Sequence, residues 1–123
     1  MWTSKENIER RKSPRLFMYL PLEYRVVDHP NAYGGIVING SEIGLCIYTT
    51  EDLPIGTKLN VMVLFPDEYE LSNFEVITEI IWRSLYQAEE GERYQYGLKF
   101  LEIDEQHLQK LRHLIGSQLS RKI

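Results

Sequence analysis

The side chains able to do covalent or metal chemistry are few, and their spacing argues against most of it. His29 stands in a turn-like Asp28-His29-Pro30-Asn31 segment, while His107 and His113 lie six apart on a helical stretch, off the i,i+4 spacing that puts two ligands on one face. Cys46 is the single cysteine, so it can neither form an internal bridge nor build a Cys-rich zinc site. No Gly-x-Ser-x-Gly elbow supplies a nucleophile, the carboxylates are scattered over turns and solvent faces, and no glycine-rich loop joins a strand to a helix. Neither a base, a nucleophile nor a metal can be assigned, so no catalytic residue and no catalytic cofactor is expected, and an enzyme is the least favoured reading.

Two short motifs suit binding instead. The first is Arg11-Lys12-Ser13-Pro14-Arg15, preceded by Arg10, just before the first apolar alternation. Pro14 disfavours helix at Ser13, so this is an extended arm. Guanidiniums fork onto phosphate oxygens or onto guanine O6 and N7, and they stack on bases, which lysine cannot do as well. The second motif is Asn39-Gly40-Ser41-Glu42-Ile43-Gly44. It offers an amide that both donates and accepts, a hydroxyl, and at Gly44 a backbone without a side chain that a ligand can approach closely. Taken singly, an Arg-rich terminus reads as a solvated arm and an Asn-Gly-Ser stretch as a hairpin turn; their combination is more specific.

These motifs must be positioned by short strands. Leu20, Leu22, Tyr24 and Val26 alternate with Pro21, Glu23, Arg25 and Val27, giving one apolar face. Gly34-Gly35 reads as a break. Ile36 and Ile38 lead into Asn39-Gly40, the strongest short-range hairpin signal, which predicts a tight turn with Ile43, Leu45 and Ile47 resuming beyond it. Leu53-Pro54-Ile55-Gly56 is the next connection, and Lys58 to Phe65 a strand stopped by Pro66-Asp67. Phe74, Val76, Thr78, Ile80 and Trp82 share one face of a long central strand. Beyond the Glu89-Glu90-Gly91-Glu92 turn, Tyr94, Tyr96, Leu98 and Phe100 form its hairpin partner. The period then changes: Asp104 is a good N-cap, and Leu108, Leu111, Ile115 and Leu119 recur at helical spacing. The pattern predicts a mainly β domain, a small sandwich or barrel covered by a C-terminal helix.

Length and composition fit that picture. At 123 residues, 43% hydrophobic and 26% charged, the chain suits one domain with its own core, and no apolar stretch reaches the roughly 20 residues of a membrane span. The N-terminus lacks an apolar signal region, which with the lone cysteine predicts a cytoplasmic protein without membrane insertion. Net charge is -4, yet residues 1–15 hold five cations against two carboxylates, a local +3, leaving -7 on the rest. An acidic body argues against a nucleic-acid polymer as partner, although eight tyrosines would offer stacking platforms to a single strand. Residues 1–18 are therefore read as a flexible basic arm and 19–123 as the barrel with its helix.

The combination resembles the PilZ family of bacterial cyclic di-GMP receptor domains. Its Arg-x-x-x-Arg signature is matched by Arg11 and Arg15, and its Asp/Asn-x-Ser-x-x-Gly turn by Asn39, Ser41 and Gly44; Trp82, the strand Gly97 to Phe100 and the closing helix also look alike. The resemblance covers about Arg10 to Leu119 and suggests a stand-alone member. It implies a six-stranded antiparallel β-barrel with a C-terminal helix, in which the arm closes over cyclic di-GMP on the barrel face and alters the surface offered to a downstream protein, as monomer or homodimer. Arg11 and Arg15 would then bind phosphates and guanine Hoogsteen edges, Asn39 and Ser41 the other guanine edge, and Gly44 would keep the floor open. In that family an arginine just before the first motif arginine favours a stacked, intercalated ligand pair, so Arg10 points to two molecules per chain. The alternative is a ligand-independent adaptor that acts through protein contacts alone; retention of both motifs favours the receptor.

Overall fold

A computed structural model describes residues 15–121; Arg10 and Arg11, with the rest of the basic segment before Arg15, lie outside the described residues. Six antiparallel strands, β1 (Leu16–Val26), β2 (Ala32–Gly40), β3 (Gly44–Thr49), β4 (Lys58–Asp67), β5 (Glu70–Ala88) and β6 (Gly91–Glu102), precede one helix, α1 (Glu105–Arg121). They close into a barrel in the order β1-β2-β3-β6-β5-β4, with β1 pairing β4 to complete the ring. Closure gives every strand a neighbour on both sides within the ring, leaving free edges only where hairpins extend beyond it. β5 makes closure possible by its length: residues 70–79 pair with β4, and the strand continues so that residues 77–88 pair with β6.

Period-2 alternation drives the core. Leu20, Leu22 and Tyr24 of β1, Val61, Val63 and Phe65 of β4, and Phe74, Val76 and Ile80 of β5 all point inward and are buried. The helix begins where expected, with Asp104 Oδ1 accepting the His107 N–H at 2.9 Å. Leu111, Leu114 and Ile115 on its inner face join the same core cluster, while the side chain of Leu119 lies outside what is described. Polar groups inside are paired. Tyr24 hydroxyl meets Thr49 Oγ1 at 2.9 Å, Thr49 donates on to the Gly34 carbonyl at 3.3 Å, and the Tyr96 hydroxyl donates to the Glu51 carbonyl at 2.6 Å. Burial pushes the Tyr24 phenol up to about 12, against the smaller opposing effect of its bond to Thr49.

Several boundaries differ from the sequence reading, each for a physical reason. β1 begins at Leu16, with Leu16 and Met18 in the core, so the boundary expected at residue 18 falls inside the first strand. Gly34-Gly35 does not break β2, which runs through both. A Cβ at Gly35 would stand 2.7 Å from the Tyr48 carbonyl, so this glycine allows close strand approach rather than a turn. Pro66 does not stop β4 either: it pairs with Leu71 in a two-stranded extension, beyond residues 59–63 that β1 covers, where a missing N–H leaves no partner unmet. Asn39-Gly40 is likewise not the hairpin turn. Both residues are paired strand positions, opposite Cys46 and Leu45, and neither has positive φ, so the connection is Ser41-Glu42-Ile43 with the Ser41 N–H bonded to the Gly44 carbonyl at 3.0 Å. Ile43 consequently sits in the loop, exposed, instead of continuing the apolar alternation.

Candidate functional site

Two β-bulges build the site. In β2 the register with β3 slips between Val37 and Asn39, so Val37 remains in the core while Asn39 turns to the outer face opposite Cys46. In β5 the register with β6 slips between Ile80 and Trp82, so Ile80 points inward and Trp82 outward, against the reading that placed them on one face. An extra residue in a strand reverses the facing of everything beyond it. The result is a row across the outer barrel surface: Phe17 of β1 pairs with Asn39 of β2, Asn39 with Cys46 of β3, Cys46 with Gly97 of β6, and Gly97 with Trp82 of β5.

Along this row opens a cavity of about 400 Å³ lined by Arg15, Asn39, Ile43, Leu45, Cys46, Ile81, Trp82, Gln95, Gly97 and Leu98. At one side the Arg15 Nε–H donates to Asn39 Oδ1 at 2.8 Å, a bond between residues 24 apart that joins the two motifs. Gly97 accounts for the Trp82 position, since a Cβ there would land inside the indole ring. Gln95 Nε2 donates to Cys46 Sγ at 3.1 Å. Burial raises the pKa of that thiol, the Gln95 hydrogen bond and the Arg15 charge opposing, so Cys46 is held neutral rather than as a nucleophilic thiolate.

The Ser41-Glu42-Ile43 loop is held from three sides. Ser41 Oγ accepts the Ile43 N–H at 3.2 Å, the Ile43 carbonyl accepts the Phe100 N–H at 3.0 Å, and Glu42 is paired with Arg112 of α1. These bonds give Ser41 and Gly44 different places from those expected. Ser41 is fully buried with its hydroxyl committed to the loop, and it does not line the cavity. Gly44 lies where a Cβ would collide with the Leu98 carbonyl, so its bare backbone admits strand β6 rather than opening the floor to a ligand. Of the expected site residues, then, the described fold brings Arg15 and Asn39 together and sets Ser41 and Gly44 behind them as support. Trp82 facing outward, Gln95 and Cys46 complete the lining; their period-2 pattern marked a strand, but nothing local marked the bulge or the cavity.

A cavity of similar size, about 410 Å³, lies between Met18 and Leu20 of β1, the β4–β5 turn and α1, and none of the motif residues lines it. Among the described residues no group of three or more His, Cys, Asp or Glu side chains is placed to hold a metal ion. No described helix is long and apolar enough to cross a membrane.

The family model for the PilZ domain matches residues 9–117. The chain belongs to the PilZ family. No curated protein matches its sequence. Among solved structures, the PilZ fold is similar to that of the Bacillus subtilis inhibitor of motility MotI/DgrA, with a TM-score of 0.72 and 18% identity over 93% of this chain and 54% of that one. It is similar to the PilZ domain of YcgR from Escherichia coli with c-di-GMP, with a TM-score of 0.69 and 14% identity over 92% and 94% of the two chains. It is also similar to PlzA of Borreliella burgdorferi in complex with c-di-GMP, at 0.61 and 15% over 97% and 57%. At such identities the likeness is one of fold, and this PilZ chain spans little more than half the length of the MotI/DgrA and PlzA chains.

Proposed function

We propose that this PilZ protein is a receptor for cyclic di-GMP, a binding protein whose output is a changed surface rather than a reaction product. The observation that carries the reading is the Arg15–Asn39 hydrogen bond at the rim of the outer-face cavity, because it joins the arginine motif and the Asn-x-Ser-x-x-Gly motif at one place. The cavity combines what a guanine nucleotide needs: a guanidinium for phosphate oxygens or for O6 and N7, an indole face, and apolar walls from Ile43 and Ile81. Likeness to PilZ structures with c-di-GMP supports the same ligand.

In this reading Arg10 and Arg11, which precede Arg15 in the chain, bring further guanidiniums to the ligand and the arm closes over it through charge-assisted hydrogen bonds. The closed arm then presents a different surface to a downstream protein. Ser41 and Gly44 act indirectly, holding the loop and the strand spacing that aim Asn39.

The test is calorimetric titration with cyclic di-GMP, with cyclic di-AMP and GTP as controls, on wild type and on Arg11→Ala/Arg15→Ala. Selective binding is expected in wild type. Each lost charge-assisted hydrogen bond is worth about 1.5–3 kcal/mol, so the double variant binds at least about tenfold to a hundredfold more weakly. The plateau reads one ligand or an intercalated pair per chain. Absence of heat with any nucleotide overturns the receptor and leaves the adaptor reading; equal binding by the variant refutes the arm.

A further inference from the structure

We propose that Gln95 is a specificity-determining residue of this cavity: its Oε1 accepts from the N1–H and N2–H edge of a bound guanine and so selects guanine over adenine. The inference rests on the cyclic di-GMP reading and deepens it.

Guanine presents acceptors, O6 and N7, on one edge and donors, N1–H and the N2 amino group, on another. A site that holds it must answer both. Donors are plentiful here: the terminal nitrogens of Arg15, the Asn39 Nδ2 and the Trp82 indole N–H all belong to residues of the lining. Acceptors are scarce. Asn39 Oδ1 already accepts from Arg15 Nε, and Ser41 Oγ, buried in its loop, accepts from the Ile43 N–H. The Cys46 sulfur, a weak acceptor in any case, receives the Gln95 Nε2–H. Gln95 Oε1 is the one strong side-chain acceptor of the lining with no donor among the described residues.

That oxygen is also reachable and aimed. Gln95 is half-buried, and no enclosed polar side-chain atom among the described residues lacks a partner, so an unpartnered Oε1 is open to solvent on a residue that lines the cavity. The bond from its own Nε2 to buried Cys46 anchors the amide, so the oxygen is held in place before any ligand arrives. Against Arg15 and Gln95 together, adenine mismatches twice: its N6 amino donors face the guanidinium donors, and its N1 lone pair faces Oε1.

Titration of wild type, Gln95→Met and Gln95→Asn with cyclic di-GMP and cyclic di-AMP tests this, with thermal unfolding of each variant alongside. Methionine keeps length and removes the hydrogen bonds; asparagine keeps the amide and withdraws it by one methylene. Leaving a purine donor unmet costs about tenfold to a hundredfold, so Gln95→Met binds cyclic di-GMP that much more weakly and prefers it less over cyclic di-AMP, with Gln95→Asn in between. If wild type binds cyclic di-GMP and a folded Gln95 variant keeps both affinity and preference, Gln95 is not the reader while the receptor reading stands. If wild type binds neither nucleotide, the receptor reading fails and takes Gln95 with it.

Discussion

Gly97→Ala is the smallest perturbation that acts on the geometry of the site. Gly97 faces outward between inward-facing Tyr96 and Leu98, and an added Cβ would occupy the space of the Trp82 indole. Neither strand backbone can retreat, since Gly97 is paired with Cys46 on one side and Trp82 on the other. The indole must move, and it can, because Trp82 is already 41% exposed. A packed Trp buries about 150–250 Å²; giving up roughly 60–100 Å² of apolar contact at about 25 cal/mol per Å² costs about 1.5–2.5 kcal/mol. For a domain of this size that is a fall in Tm of about 5–10 °C. The assay is thermal unfolding together with Trp82 emission in a Trp2→Phe background, so that one indole reports, and nucleotide titration of the same protein. Expected are the lower Tm, a red-shifted emission and weaker cyclic di-GMP binding. Gly34→Ala is the internal control: it is another β-strand glycine, a Cβ there meets nothing within 4 Å, and its Tm should be unchanged or slightly raised. Equal Tm and emission for Gly97→Ala and wild type would refute the packing of Trp82 over Gly97.

Thr49→Val should destabilise more than Tyr24→Phe, because valine leaves the buried Tyr24 hydroxyl without its 2.9 Å partner, at about 1–3 kcal/mol, whereas phenylalanine leaves Thr49 bonded to the Gly34 carbonyl; urea unfolding of both variants ranks them. Stability should also fall at high pH. The folded Tyr24 phenol titrates at about 12 and the unfolded one near 10, so its contribution is complete below pH 10 and lost as pH climbs through 12, by up to about 2 kcal/mol, a loss that Tyr24→Phe should reduce in unfolding curves between pH 9 and 12. Gly116→Ala should raise Tm by a few degrees, about 0.5–1 kcal/mol, because this helix glycine has open space where a Cβ would go; an unchanged or lower Tm would mean that the helix needs a bare backbone there.

Much of the barrel was legible because alternation is local physics. Leu20, Leu22 and Tyr24 face inward simply because every second side chain does, and Asp104 caps α1 because a carboxylate before an amphipathic run satisfies a free N–H. The two motifs were legible as well, since Arg15 and Asn39 are chemically distinctive wherever the chain puts them, and the structure brings those two side chains together. The misread segments share a cause. Gly35, Gly44 and Pro66 read locally as a break, an open floor and a stop, yet each is decided by a strand, or the lack of one, brought alongside from elsewhere in the chain.

The sequence by itself therefore determined that short strands and a closing helix form, which face of most strands is apolar, and where along the chain the chemically distinctive side chains stand. Only the tertiary structure decided where those side chains point. A bulge is a mismatch between two strands, so neither strand encodes it alone, and the slips at Ile38 and Ile81 turn Asn39 and Trp82 outward onto one surface. Pairing of β3 with β6 then sets β1, β2, β3, β6 and β5 side by side, and that order, rather than nearness in sequence, brings Arg15, Asn39, Cys46, Gln95 and Trp82 to a single cavity.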